Sequence, residues 1–176
     1  MLNDDRRWGA TDADAAASYP CDRYLDKPYK SYHRAVDVDA SVPLTYRWLC
    51  QLTTGDYTYG RMWRCSRTLT PGADELAVGQ RFLAFELVDF AAGDHMTGVT
   101  FPLTQRLYGT LAVTYRVVPR EPGGSRIVVR LNVPGDRGLS RWIRGPLALA
   151  DAVIMRKQLL NLKELAQRDQ EAQSCQ

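Results

Sequence analysis

The stretch PLALADAVIMRKQLLNLKELAQR, Pro146 to Arg168, decides how this chain folds. On a 3.6-residue wheel Ile143, Leu147, Ala148, Ile154, Met155, Leu159, Leu162, Leu165 and Ala166 share one broad arc. Arg156, Lys157, Lys163, Glu164 and Gln167 occupy the other side. This is an amphipathic helix whose apolar face has to be covered by the rest of the chain. Gly145-Pro146 marks its start, since a first-turn proline leaves no backbone bond unmade. The sequence offers no second long helix, so the cover has to be a sheet. Arg144, Asp151 and Gln158 stand seven apart and line up along the face to be buried. Two readings of this row stay open. Asp151 closes an ion pair with a sheet arginine while Gln158 bonds a backbone group, or the row projects into a cavity and addresses a ligand.

Upstream of this helix the period changes from 3.6 to two. Arg81 to Phe90, Asp94 to Phe101, Arg106 to Val118 and Ser125 to Val133 read as four successive antiparallel strands. Short links join them: Ala91 to Gly93, Pro102 to Gln105, and Arg120 to Gly124. Odd-numbered positions are the more apolar in all four, most clearly Ile127, Val129, Leu131 and Val133 against Arg126, Val128, Arg130 and Asn132. A sheet covered on one face and solvated on the other is the expectation. Tyr32 to Val38 alternates as a fifth strand, with Arg34, Val36 and Val38 on one side. A short helix follows, with Ser41 or Asp39 as cap, Pro43 in its first turn, and Leu44, Trp48 and Leu52 on one face.

Residues 1–30 read as an arm packing on the domain, with Thr11 capping one or two helical turns and Trp8, Tyr19, Tyr24 and Tyr29 pinning it down. The domain proper is 31–168, and 169–176, which has no apolar face, should fray. The whole is an α+β fold, a curved antiparallel sheet wrapped around a long C-terminal helix.

Composition narrows the function. The 176 residues suffice for one domain with a sizeable core, and 45% apolar with 24% charged residues are ordinary for a soluble globular chain. A formal charge of +3, spread thinly, argues against a nucleic-acid partner. No apolar run approaches the roughly 20 residues that span a bilayer, so no membrane insertion is expected. The N-terminus has no secretory apolar stretch, which points to the cytoplasm. Cys21, Cys50, Cys65 and Cys175 show no paired spacing, and with two histidines a metal site is not expected. Neither a GxGxxG nor a P-loop occurs, nor a nucleophile elbow, so no cofactor is called for.

The pieces VDVDASVPLTYRWLCQL, LAVGQRFLAFELVDFAAGDHMTG and DAVIMRKQLLNLKELAQR, in this order, resemble the SRPBCC superfamily, as do WGAT and YPCD near the start. This is the group of START, polyketide-cyclase and pollen-allergen-like helix-grip proteins, and the likeness is to bacterial members. It implies a seven-stranded sheet gripping the last helix, with a hydrophobic tunnel between them. Alternation yields five strands, so the other two would come from Tyr57 to Leu69. The resemblance further implies a lipid-, polyketide- or sterol-like ligand. It transfers no catalytic residue, because no motif carries one activity across the superfamily.

With odd positions inward, the tunnel wall would comprise Leu83, Phe85, Leu87, Val99, Leu111, Val113 and Tyr115, together with Met155 and Leu159 from the helix. Trp48, Tyr57, Tyr59 and Trp63 would close one end. Asp151 is the first carboxylate to test, orienting a ligand with Arg144, Arg116 or Arg130. His95 has inward parity beside Thr97 and suits a general base, and Tyr115 suits a hydrogen-bond donor. Binding of a small hydrophobic molecule without chemistry leads. A cyclase- or dehydratase-type enzyme using Asp151, His95 or Tyr115 is the alternative, and a protein-interaction module through the aromatic loop 57–63 is the second. A monomer or a homodimer fits each of these.

Overall fold

In a computed structural model of the chain the described residues are 6–26, 28–54, 67–103, 105, 109–134 and 141–175, with side chains of the last segment described from 153 on. The seven strands are β1 (Arg7–Trp8), β2 (Tyr29–Val38), β3 (Arg81–Phe82), β4 (Phe85–Ala91), β5 (His95–Thr100), β6 (Ala112–Arg120) and β7 (Gly124–Pro134). The helices are α1 (Asp12–Ala16), α2 (Val42–Cys50) and α3 (Arg141–Ser174). The strands form one sheet in the order β1-β2-β7-β6-β5-β4-β3. Every pairing is antiparallel except that of β1 with β2. The meander from β3 to β7 runs back across the sheet until β7 pairs with β2 along its whole length, Tyr29 opposite Pro134 and Val38 opposite Ser125.

The two strands beyond the five seen as alternating runs come from unexpected places. One is β1, in the arm. The other arises because Arg81 to Phe90 is not one strand: Phe82 pairs directly with Phe85, and Leu83-Ala84 turn the chain between them. Leu83 takes φ 53 there, the positive value that a two-residue hairpin demands. Residues 67–69 are not in a strand, and 55–66 lie outside the described residues.

Register fixes which side chains share a face, because directly opposed residues point the same way. Val36 opposes Ile127, Tyr115 opposes Val129, Met96 opposes Tyr115, and Leu87 opposes Gly98. All of these belong to the helix side of the sheet. The register then slips between Leu87 and Asp89, so Phe90, opposite Met96, also faces the helices although its parity is even. The inward residues of β5 are therefore the even ones, Met96, Gly98 and Thr100. His95, Thr97 and Val99 lie on the outer side.

Helices α2 and α3 cover the helix side. Trp48, Leu49 and Leu52 meet Leu159, Leu162, Leu165 and Ala166 over Val38, Val117 and Ile127, all of them buried. Each large side chain so buried contributes about 1.5–3 kcal/mol before ordering entropy is charged. The helix runs past Arg168 to Ser174. Polar ties hold that last part: Trp48 Nε1 donates to Asp169 at 3.1 Å, and the Ser41 amide donates to Gln170 Oε1 at 2.9 Å.

The outer side is covered too, where the sequence suggested solvent. After β1 the arm crosses the edge of the sheet and lies on its outer face. There Tyr19 and Cys21 are buried against Ala35, Ala112 and Val128. Thr11 caps α1, its hydroxyl accepting from the Asp14 amide at 3.1 Å while Asp14 bonds the Thr11 amide in return.

Candidate functional site

The helix side is largely apolar, and a polar pair stands at its centre. Tyr115, wholly buried in mid-β6, donates its hydroxyl hydrogen to Gln158 Oε1 of α3 at 3.1 Å. Gln158, only 5% exposed, stands on the helix face between Met155 and Leu162, both buried. Around the pair the rings of Phe82 and Tyr115 meet edge to face at 6.1 Å, and Phe85 tilts against Phe82 at 5.7 Å. Gly98 makes this possible. A Cβ there would come within 2.4 Å of the Phe82 ring, which lies against the β5 backbone instead.

Burial changes along the wall. Val117, Ile127 and Val129 are fully covered, whereas Leu111 and Val133, farther along the same strands and on the same side, are half-buried, as is Tyr32 on β2. Ile154 at the facing end of the described helix side chains is half-buried as well. At the β1 edge the Arg156 guanidinium sits 5.1 Å above the Trp8 ring. Arg34 is a buried cation on the helix side, donating to the carbonyls of Arg6 and His33 at 2.8 Å each.

The candidates divide accordingly. Phe85, Leu87, Val113, Tyr115, Met155, Leu159 and Trp48 all belong to the one buried cluster on the helix side, and Leu83 and Leu111 pack at its margin. Val99 is not in the wall; it packs on the outer side against the cluster of Cys21 and Ala112. His95 is also outside, opposite Arg116. Tyr57, Tyr59, Trp63 and the side chains of Arg144 and Asp151 fall outside the described residues. The sheet arginines proposed as partners for Asp151 point away from the helix. Arg116 bonds Asp94 at 2.7 Å, and Arg130 approaches Asp22 at 3.2 Å on the outer face. The partner of Gln158 is a tyrosine hydroxyl, not a backbone group.

Sequence reading passed over Phe82, Met96, Gly98 and, as a helix-side cation, Arg34. Two signals pointed to them: a glycine inside a strand marks close approach of another group, and Arg34 shares parity with Val36 and Val38.

The outer face is chemically different. His95 Nδ1 lies 3.0 Å from Asp94 Oδ2, with Asp89 3.8 Å from its Nε2 and bound in turn by Arg23 at 2.8 Å. Burial works against ionising Asp94, yet the bonds from His95 and Arg116 hold its carboxyl below the usual range. His33 is buried and its Nε2 has no described partner. Burial first, then the charges of Arg130, Arg7 and Arg34, push its imidazole down to about 4. Burial likewise raises the Cys21 thiol to about 11, so it is an inert packing group. Among the described residues no group of three or more His, Cys, Asp or Glu side chains is placed to hold a metal ion. No helix among them is long and apolar enough to cross a membrane.

A protein from Nitrosospira multiformis superposes with a TM-score of 0.55 at 12% identity, over 78% of this chain and 96% of that one. The di-domain ARO/CYC protein StfQ from the steffimycin biosynthetic pathway superposes as well. That match has a TM-score of 0.50 at 12% identity, over 80% of this chain and 52% of StfQ. The architecture they share with this chain is the helix-grip fold. A Mesorhizobium loti protein also superposes, with a TM-score of 0.50 at 17% identity, over 79% of this chain and 98% of that one. No protein-family model matches the sequence, and no curated protein does. At such identities the likeness is one of helix-grip architecture, and it leaves the chemistry to the residues.

Proposed function

We propose that this chain holds a small hydrophobic molecule between the helix side of its sheet and α3. The observation that carries the reading is the change of burial along one continuous apolar wall. Where α2 and the later turns of α3 lie over it, the wall is completely covered. Toward Leu111, Val133 and Tyr32 it stays apolar while its side chains are only half-buried. Apolar surface that continues past its own cover is what a guest molecule would bury, at about 25 cal/mol for each Å² removed from water.

Catalysis of the cyclase type finds less support. It needs at least two titratable groups converging on one point. Of the three candidates, Tyr115 is on the wall and engaged with Gln158, while His95 is on the far side of the sheet. The side chain of Asp151 and the loop 57–63 of the interaction reading lie outside the described residues.

Native mass spectrometry of the purified chain, with extraction of whatever dissociates on activation, tests the proposal. The expected result is a co-purifying apolar small molecule, or saturable one-site uptake of an added hydrophobic fluorescent dye such as Nile red. Ligand-free spectra together with no saturable uptake would remove it.

A further inference from the structure

Resting on the ligand-binding reading, we infer that the Gln158 amide is the recognition point for a neutral hydrogen-bond acceptor, a ketone- or quinone-type carbonyl oxygen, on the bound molecule. Gln158 is 95% buried on the apolar face of α3, where a methionine or leucine would pack without cost. Its Oε1 is occupied by the Tyr115 hydroxyl. No described residue accepts a bond from its Nε2. That nitrogen is not among the completely sealed, unpaired polar atoms, so it keeps a small opening toward which it can donate, and an acceptor on the guest would fill that opening with a hydrogen bond. The Tyr115 bond gives the arrangement direction. By holding Oε1 toward the sheet it fixes the amide plane and turns the N–H groups away from Tyr115.

The charge of the wall selects the class of acceptor. Among the described side chains facing the helices from this sheet, Arg34 is the buried cation, and its guanidinium already serves two backbone carbonyls at the β1 edge. A carboxylate brought to Gln158 would have no described cation beside it. A carbonyl or ether oxygen needs none. Flat apolar ketones therefore fit better than fatty acids.

The test uses a matched pair of probes, 9-fluorenone and fluorene, which differ at one carbon, with the full-length protein. In Gln158→Leu the ratio of fluorenone to fluorene affinity should fall roughly three- to tenfold, the loss of one neutral hydrogen bond, while fluorene still binds. In the unmutated protein the carbonyl stretch of bound fluorenone should lie at lower frequency than in hexane. This infrared measurement decides the matter alone should the leucine variant not fold. An unchanged affinity ratio, or an unshifted stretch, with fluorene still binding, overturns this inference and leaves the ligand reading standing. If neither probe binds, both fall.

Discussion

The two sides of the sheet are built on opposite principles. On the helix side burial is mostly apolar, with a few scattered hydrogen bonds such as Tyr115 to Gln158 and Thr45 to Ser125. On the outer side the covering arm is held largely by charge. Arg126 bonds both Asp14 and Asp37, Arg130 reaches Asp22 and the Ala17 carbonyl, and Asn132 donates to Asp22 at 2.8 Å. The small apolar patch around Cys21 sits inside this polar frame. A wall meant to hold an oily guest gains from having few directional bonds, because such a surface can repack around different shapes. A cover meant to stay put gains from directional ones, which fix a single register. On the binding reading proposed above, α3 and its surroundings would be the adaptable half of the molecule and the arm the fixed half.

Three measurements break or sharpen that contrast. The largest effect belongs to the helix side. Leu162→Ala removes a completely buried side chain from between α2 and the sheet and should cost about 2–5 kcal/mol in urea unfolding. A cost below about 1 kcal/mol would mean that this face is not where stability resides.

Next comes acid. His33 has its imidazole depressed to about 4 in the folded chain against an ordinary 6.5, so between those values the unfolded chain binds more protons. Its contribution is complete above pH 6.5 and is lost as pH falls toward 4, up to roughly 3 kcal/mol at 1.36 kcal/mol per unit. Asp14 adds its own loss only at lower pH. Burial opposes its charge, but the Arg126 bond and the Thr11 cap hold its carboxyl below 3.8. Unfolding free energies measured from pH 7 to 4 should slope in the native protein and flatten in His33→Asn. An equal slope in both would place the acid sensitivity elsewhere.

The smallest effect is at the rim of the outer face. Arg23→Ala removes the ion pair with Asp89, but the arginine side chain is 69% exposed, so the change in stability should stay below about 1 kcal/mol and shrink further in salt. A larger cost in thermal unfolding would show that the arm is clamped at Arg23 and not along Arg126 and Arg130.

The contrast also explains what the sequence could and could not tell. Strands β2, β6 and β7 were legible because, Arg34 and Ser125 apart, their helix-side residues are the larger and more apolar. The long helix was legible for the same reason. Parity failed in β5, where Met96 and Gly98 face inward and Val99 outward. Two causes combine. The arm buries the outer face, so Val99 is apolar on that side for good reason. Gly98 contributes no side chain of its own, and Phe82 from the neighbouring hairpin fills its place. The slip after Leu87 adds a second inversion in β4, and a single extra residue in a strand leaves no compositional mark. Tyr115 was legible as a wall residue, and its tie to Gln158 was not, since the contact joins positions 43 residues apart on different elements.

Gly9 shows how much can hang on one missing carbon. It has φ 69, and a Cβ built there would fall 2.1 Å from the Ala35 carbonyl oxygen, so the chain passes over the rim of β2 in near contact. Any larger residue would lift the arm off that rim. The backbone of β2 beside it would then be open to pairing with a strand from another molecule. A single hydrogen in place of a methyl group is thus what lets the arm cover that edge.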